Sequence, residues 1–307
     1  MGIEKMNNMD HRHIIISVSK NCFVKCPGCY NFFGKCNNLV TNDEILNFLY
    51  QLPKNKIEKI TISGGDPLAR ENIVDLLCNI KKMGFKINLD TVGTRLLDDV
   101  YTIPKKEKLT KISVNDIAPF VDVLGIPLDG SNNAIVSTFR TGRLCIFDES
   151  IKLLEILKNH KIKICINTVV HKLNIDDLKN IADILLKYPY ITKWQLFQFM
   201  AIGPMGYLNR EKYNISDEAF VFYCQKIKKY LKDNKSPIIL NDKSRQKRKN
   251  LYLLIDNDGE AWTPFATNEN YWNDTKDENN KRIIVGNIKN KAEIDKIIEF
   301  IFQEEEK

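Results

Sequence analysis

The sequence lacks any hydrophobic run long enough to cross a membrane. Its longest apolar runs, such as Ile14–Val18 and Ile162–Ile166, are short, whereas a membrane-spanning helix needs about 20 apolar residues. The segment Met1–His13 also lacks the apolar stretch that a secretory signal requires. We therefore expect no membrane segment and a cytoplasmic location.

Aromatic residues are missing from the most basic part of the chain. The net charge is +7, and five of the seven residues in Lys243–Lys249 (KSRQKRK) are Lys or Arg. Binding of single-stranded nucleic acid usually combines basic groups with aromatic side chains, so we expect no nucleic-acid partner. The segment is either a solvated linker or a site that attracts an anionic substrate.

Half of the eight cysteines lie singly in apolar segments: Cys78, Cys145, Cys165 and Cys224. This distribution indicates buried thiols in a reducing compartment rather than a disulfide framework. Cys224, in the segment VFYCQKI, is also a candidate hydrogen-atom donor to a substrate radical, although packing in the core is the favoured interpretation.

The other four cysteines are concentrated in SKNCFVKCPGCYNFFGKC (Ser19–Cys36). Cys22, Cys26 and Cys29 have the spacing C-x3-C-x2-C, and Cys36 follows seven residues later. Four thiolates would make a tetrahedral zinc site. Three would hold a [4Fe–4S] cluster in which one iron keeps a free coordination position, and Cys36 would then be a loop thiol or an extra ligand. The spacing alone leaves both sites open.

Short β-branched runs alternate with helical patterns over the first 200 residues. The predicted strands are Ile14–Ser19, Ile57–Ser63, Lys86–Thr91, Pro119–Ile126, Lys161–Val170 and Thr192–Met200. The predicted helices are Asn42–Gln51, Arg70–Met83, Glu149–Asn159 and Asp176–Lys187. Six such units in series predict an α/β fold with a parallel sheet, because each parallel step needs a crossover.

The pattern changes after residue 200, where Gly203–Gly206 interrupts the chain. The segments that follow are predicted as a helix (Ser216–Asp233, with Ser216 as N-cap), a hairpin (Leu251–Asp256 and Ala261–Phe265), a strand (Ile283–Asn287) and a terminal helix (Ala292–Phe302). We therefore divide the chain into a core, residues 1–205, and an extension, residues 206–307, that completes the substrate site.

Four motifs follow the predicted strands in order. They are the cysteine triad after the first strand, SGGDPL (Ser63–Leu68) after the second, DTVGT (Asp90–Thr94) after the third, and PLDG (Pro127–Gly130) after the fourth, with RTG (Arg140–Gly142) beyond. In this order they resemble the radical SAM superfamily, whose fold is a partial (β/α)6 TIM-like barrel. The resemblance predicts that fold here, with the C-terminal helix and β-hairpin as an extension.

The resemblance also implies the cofactors and the reaction. One [4Fe–4S] cluster is expected on Cys22, Cys26 and Cys29, with S-adenosylmethionine (SAM) bound to the remaining iron. One electron from flavodoxin or ferredoxin then cleaves the sulfur–C5′ bond of SAM, and the 5′-deoxyadenosyl radical abstracts a hydrogen atom from the substrate. Further binding residues for the cofactor or the substrate are implied at Gly64, Gly65, Asp66, Asp129, Arg140 and Asn167. His171, at the end of the fifth strand, is a candidate for proton transfer.

The C-terminal half resembles two different groups within the superfamily. Lys193–Asp256 is similar to viperin-type enzymes, which act on nucleoside triphosphates, and this predicts an anionic, nucleotide-like small molecule as substrate. The basic residues that viperins use for the triphosphate correspond to Cys165 and Gln195, neither of which is cationic. Ile255–Ile288 also resembles the SPASM or twitch extension of peptide-modifying maturases. Trp262, Thr263 and Phe265 stand where those extensions have cysteines, so we expect no second cluster.

Gly28 departs from the usual motif, in which an aromatic residue precedes the third cysteine and packs on the adenine of SAM. CPGCYN (Cys26–Asn31) and SGGDPL resemble the activases of anaerobic ribonucleotide reductase, which have the same glycine. Three alternatives therefore stand beside the small-molecule enzyme: a peptide-modifying maturase, a glycyl-radical-enzyme activase, and a non-enzymatic zinc-binding interaction module.

Overall fold

The computed structural model describes residues 12–29, 38–103, 106–248, 251–264 and 282–302. The strands are β1 (His13–Ser17), β2 (Lys59–Ser63), β3 (Lys86–Asp90), β4 (Val100–Tyr101), β5 (Lys108–Leu109), β6 (Val123–Pro127), β7 (Lys163–Val170), β8 (Lys193–Gln198), β9 (Ile239–Lys243), β10 (Tyr252–Ile255), β11 (Glu260–Pro264) and β12 (Arg282–Asn287). The helices are α1 (Asn42–Gln51), α2 (Ile73–Lys82), α3 (Val114–Ile117), α4 (Asn133–Val136), α5 (Ile146–Leu157), α6 (Leu178–Leu185), α7 (Gly203–Leu208), α8 (Arg210–Tyr213), α9 (Asp217–Asp233) and α10 (Lys291–Phe302).

Ten of the strands form one sheet in the order β12-β11-β10-β1-β2-β3-β6-β7-β8-β9, while β4 and β5 form a separate antiparallel pair. Every neighbouring pair from β10 to β9 is parallel. Eight parallel strands thus lie side by side in an open array, and the strands β11 and β12 extend it as an antiparallel edge. The predicted α/β fold with a partial barrel is confirmed.

The helices cover one face of this sheet. Sheet order follows chain order from β1 to β9, and successive right-handed crossovers in one direction place their helices on the same side. Ile60 and Ile62 of β2 are fully buried in a core that also contains Leu76 and Leu77 of α2. Because side chains alternate along a strand, Lys59, Thr61 and Ser63 face the other, concave side. We call that side the lumen.

The charges on the lumen side show how strongly the sheet curls. β2 and β8 are separated by four strand-to-strand steps in the sheet, which would be about 19 Å in a flat sheet. Lys59 begins β2 and Lys193 begins β8, yet the charge of Lys193 helps to lower the pKa of Lys59, after burial. The two ammonium groups therefore approach each other across the lumen, as they do in a barrel.

The predicted helices are confirmed within a few residues, and the predicted N-cap at Ser216 is present. α1 begins after Thr41, whose hydroxyl accepts a hydrogen bond from the backbone N–H of Glu44, while the Glu44 carboxylate accepts one from the backbone of Thr41. α9 begins after Ser216, whose hydroxyl accepts a hydrogen bond from Ala219. The turn of the predicted hairpin contains Gly259 at φ +89°.

The interpretation of Lys243–Lys249 as a solvated linker is wrong for part of the segment. Lys243 is the last residue of β9, an unpredicted strand that pairs with β8. Arg248 is only 7% exposed, and its guanidinium donates hydrogen bonds to the carbonyls of Gln198 and Ser244. A short run, ILNDK, carries only a weak strand pattern, and the basic residues after it obscured the boundary.

The division at residue 205 stays a prediction, although strands β9 to β12 of the extension belong to the same sheet as the core. Within the described residues, no helix has the length and hydrophobicity that a transmembrane span requires.

Candidate functional site

The three cysteines of the triad lie on the loop after β1, at the carboxyl edge of the parallel strands. The backbone N–H of Cys22 donates to the carbonyl of Ile103 at 3.2 Å, and the Cys22 carbonyl accepts from Ile103 at 2.7 Å. Lys25 exchanges the same pair of hydrogen bonds with Thr141, at 2.7 and 2.9 Å. These bonds fix the loop at both ends, on the edge where barrel enzymes place their active sites.

The thiols of this loop lie within electrostatic reach of one another. Burial raises the pKa of Cys22 well above its ordinary value, and Asp66, Cys26 and Cys29 raise it further. Burial also raises the pKa of Cys26 to about 12, which the guanidinium of Arg140 opposes. Such thiols are mostly protonated by themselves, and a bound metal centre supplies the positive charge that deprotonates them.

The donor set fits an iron–sulfur cluster. Among the described residues, no three His, Cys, Asp or Glu side chains converge as ligands of a single metal ion. A [4Fe–4S] cluster takes each thiolate on a different iron, so its ligands need not converge on one point. The zinc alternative needs Cys36, which lies outside the described residues, so the role predicted for Cys36 stays open.

Gly64 and Gly65 let the turn after β2 contact the cysteine loop directly. A Cβ on Gly64, whose φ is +152°, would lie 2.7 Å from the carbonyl oxygen of Ser19. A Cβ on Gly65 would lie 2.4 Å from the carbonyl oxygen of Asn21. The N–H of Gly65 instead donates to Ser19 at 2.6 Å, and the N–H of Asp66 donates to Asn21 at 2.8 Å. The glycine pair therefore positions the segment that carries Cys22.

The carboxylate of Asp66 connects the turn after β2 to the turn after β3. It is 1% exposed and accepts hydrogen bonds from the hydroxyl of Thr91 and from the backbone N–H groups of Val92 and Leu68. Burial raises the pKa of Asp66 to about 6, against the lowering effect of these donors. Its side chain is fully engaged within the protein and holds the turn after β2 against the turn after β3.

Asp129 and Arg140 form a buried ion pair beside the cysteine loop. Their side chains are 0% and 14% exposed, and the Arg140 guanidinium donates to the Asp129 carboxylate. Arg140 also lies 3.7 Å from the sulfur of Cys26, and Asp129 accepts a 2.7 Å hydrogen bond from the N–H of Val169. Burial disfavours the charged guanidinium, but Asp129 and Cys26 outweigh it and raise the pKa of Arg140. The pair places a permanent positive charge next to the triad.

Gly28 faces aromatic rings from two other elements. A Cβ at this position would lie 2.4 Å from Cε2 of Phe199 and 3.0 Å from Cε2 of Phe139. Phe139 and Phe199 belong to a small apolar cluster with Tyr213, against which Cys26 packs. Aromatic rings thus adjoin the triad although residue 28 is glycine, and they come from the segment after α4 and from the end of β8.

Polar side chains line the lumen between the strands. The amide of Asn167 donates to Asp90 at 3.1 Å, and the amide of Gln195 donates to Asn167 at 2.9 Å and to the sulfur of Cys165 at 3.2 Å. Burial raises the pKa of Asp90 to about 6. The amide oxygen of Asn88 is buried and has no hydrogen-bond partner among the described residues. We call Asp90, Asn167, Gln195 and Cys165 the polar ladder.

Three half-buried lysines lie beside this ladder: Lys59 of β2, Lys193 of β8 and Lys243 of β9. The pKa of Lys243 is lowered by burial and by the charges of Lys193, Arg248 and Lys59. No binding role for these three lysines was predicted from the sequence. Their strand alternation is the signal that could have revealed them.

Among the contacts of the described residues, neither His171 nor Cys224 touches a thiol of the triad. The ring of His171 is fully buried, stacks on Phe139, and its pKa is lowered to about 3 by burial and by Arg140 and Lys212. Its Nδ1 accepts from the N–H of Leu173, and its Nε2 has no partner within the described chain. Cys224 lies in the core between helices and sheet. Their proposed roles stay predictions.

Comparison with known proteins identifies the family. Residues 16–185 match the radical SAM superfamily, which is more than half of the chain. GTP 3′,8-cyclase of Clostridium perfringens (strain SM101 / Type A) is 27% identical over 231 residues, and the match covers 73% of this chain. The chain spans 65% of the length of that relative, and the corresponding protein of strain 13 is 26% identical over the same share.

Solved structures share the fold. Streptococcus suis SuiB bound to its precursor peptide SuiA superimposes with a TM-score of 0.66 at 15% identity, over 82% of this chain and 58% of SuiB. Native anSMEcpe with bound AdoMet gives a TM-score of 0.61 at 17% identity, over 94% of this chain and 83% of that protein. The chain belongs to the radical SAM superfamily, a family of enzymes that use SAM and an iron–sulfur cluster.

Proposed function

We propose that the protein binds one [4Fe–4S] cluster through Cys22, Cys26 and Cys29 and acts on an anionic, nucleotide-like small molecule. The observation that supports the cluster most strongly is the loop itself, with three electrostatically coupled thiols held against the Gly64–Gly65 turn. When bound, the cluster would pass one electron from flavodoxin or ferredoxin to SAM and so supply a 5′-deoxyadenosyl radical, which takes a hydrogen atom from the substrate.

The residues of this chain then have separate tasks. The backbone of Gly64, Gly65 and Asp66 seats the methionine end of SAM, and the Asp66 side chain holds that turn in place. Arg140, oriented by Asp129, offsets negative charge beside Cys26.

An anionic substrate is supported by the charges of the lumen and by a relative. Lys59, Lys193 and Lys243 lie on the lumen side of their strands, and Lys243 interacts electrostatically with the other two. The relative at 27% identity acts, by its name, on GTP, which carries phosphates. Asn167, within the polar ladder, is placed to hydrogen-bond an uncharged part of the substrate. The likeness to SuiB concerns the fold and does not favour a peptide.

The experiment is to reconstitute the cluster anaerobically, reduce the protein, and measure 5′-deoxyadenosine with and without candidate substrates. Nucleotides deuterated on carbon should stimulate its formation and transfer deuterium into it. Stimulation by peptides alone would contradict the small-molecule assignment and support a maturase. Radical transfer to a glycyl-radical protein, with no turnover of small molecules, would support an activase.

A further inference from the structure

The lumen holds positive charge that the described protein leaves without a counterion. The ammonium groups of Lys59, Lys193 and Lys243 make no hydrogen bond or salt bridge to any described residue. Other half-buried lysines do have partners; Lys81, for example, binds the Asp122 carboxylate at 2.7 Å. A buried ammonium group without a partner destabilises the fold, because it loses hydration and gains nothing in return.

The three lysines also repel one another and a fourth cation. Burial lowers the pKa of Lys59 and Lys243, and both groups sense Lys193. Arg248 adds a further positive charge near Lys243. Among the described residues, the acidic groups that interact with this group are the carboxyl of Asp90, whose pKa is itself raised by burial, the thiol of Cys165 and, beside Arg248, the phenol of Tyr252. Within the described part of the chain the cations therefore outnumber these acidic groups.

We propose that Lys59, Lys193 and Lys243 together bind a phosphate or diphosphate group of the substrate. This inference rests on the proposed function and specifies the ligand of the same lumen. Three ammonium groups suit a dianion or trianion better than a single carboxylate, which one lysine would neutralise. Lysine binds phosphate as a point charge with three donors, whereas planar carboxylates are usually held by the fork of an arginine.

The positions along β8 indicate how a phosphate ester lies. Lys193, Gln195 and Phe197 alternate on the lumen side of that strand, in order from its amino end toward its carboxyl end. Lys193 begins β8, whereas Lys243 of β9 is in register with Phe197 near the carboxyl end of β8. The amide of Gln195, with its partner Asn167, lies between these two levels, so a phosphate bound by the lysines holds the uncharged part of the ester beside this amide pair.

The test uses the full chain with its cluster and measures binding of inorganic pyrophosphate by calorimetry at constant ionic strength. Lys59→Met, Lys193→Met and Lys243→Met should each weaken binding by about tenfold to a hundredfold, as expected for the loss of one hydrogen bond to a charged group. Lys152→Met, which changes an exposed lysine of α5, is the control and should bind as the wild type does. Equal affinity in all four variants, or no binding by the wild type at millimolar pyrophosphate, overturns the proposal.

Thermal unfolding provides a second measurement if a variant binds poorly for other reasons. Without ligand, each of the three lumen variants should unfold at a higher temperature than the wild type, because an unpaired buried charge has been removed. Pyrophosphate should raise the midpoint of the wild type more than that of the lumen variants. Lumen variants that are all less stable than the wild type and respond equally to pyrophosphate would contradict the proposal.

Binding of a phosphate ester, compared with pyrophosphate, distinguishes a substrate phosphate from free phosphate. Cleavage of SAM, compared with anion binding, distinguishes this inference from the proposed function. A ribonucleoside diphosphate that binds more tightly than pyrophosphate supports the ester, whereas binding of pyrophosphate with exclusion of the ester overturns it. If the wild type cleaves SAM but binds neither anion, only this inference fails. If it binds the anions but forms no 5′-deoxyadenosine, only the proposed function fails.

Discussion

A side chain at position 28 and the ring of Phe199 cannot occupy their places together, because a Cβ on Gly28 would lie 2.4 Å from Cε2 of Phe199. Real Cβ atoms do not approach a neighbour this closely, so the glycine and the phenylalanine are a matched pair. The ring of Phe199 occupies the space that a side chain at position 28 would need.

Gly28→Phe should therefore be destabilised unless Phe199 is shortened at the same time. Overpacking of this kind costs about 1–3 kcal/mol, and Phe199→Ala alone costs about 3–5 kcal/mol through the cavity that it leaves. The double variant should lose less than the sum of the two single losses, because each change offsets the other. Urea unfolding of the four proteins measures this coupling. Strict additivity would show that the two positions do not share one space.

Asp129→Asn should leave the guanidinium of Arg140 buried without a full counterion. Breaking a buried ion pair on one side costs about 3–5 kcal/mol, although the new amide oxygen can still accept from Val169. The double variant Asp129→Asn/Arg140→Met removes the unpaired charge and should recover part of the loss. Urea unfolding followed by tryptophan fluorescence suits this comparison, since Trp194 and Trp262 are buried. A double variant that is less stable than Asp129→Asn would contradict the role given to the pair.

The lumen lysines should make stability depend on pH in the alkaline range. The pKa of Lys59 and of Lys243 is lowered in the folded protein from the ordinary 10.5. Between the lowered and the ordinary pKa the unfolded chain binds more protons, so the free energy of unfolding rises with pH in that window. The variant Lys59→Gln/Lys243→Gln lacks this contribution.

The double lysine variant should be more stable than the wild type at about pH 7.5, and its advantage should decline as the pH approaches 10.5. Urea unfolding at several pH values measures the difference, with Lys152→Gln as the exposed control. Asp90, Cys165, Tyr252 and Lys193 are present in all of these proteins. A difference between variant and wild type that is constant over the whole range would show that the two lysines are not perturbed.

Much of the fold could be predicted from the sequence because its signals are local. The β-branched runs at β1, β2 and β7 and the caps at Thr41 and Ser216 each specify an element within a few residues. β9 was missed because its side chains show little alternation of hydrophobicity, and pairing with β8 stabilises it in the folded sheet. β9 forms because of its tertiary contacts, and a local sequence pattern carries no information about such contacts.

For the same reason, the cysteine triad of the candidate site could be predicted from the sequence and the lumen lysines could not. The cysteine triad is a contiguous motif, and its position after a strand was sufficient to place it. Lys59 lies more than 130 residues before Lys193 and Lys243 in the sequence, and only the curl of the sheet brings its charge near theirs. Cys165 and Gln195, which correspond to the basic residues of viperin-type enzymes, contact each other beside these lysines.

The most direct measurement of the central claim is the iron content and the SAM cleavage of the cysteine variants. After anaerobic reconstitution and reduction, the wild type should contain about four iron atoms per chain and release 5′-deoxyadenosine. Cys145→Ala, which changes an exposed cysteine outside the triad, should behave in the same way, while Cys22→Ala, Cys26→Ala and Cys29→Ala should each lose SAM cleavage. Undiminished iron and 5′-deoxyadenosine in the three triad variants would contradict the account.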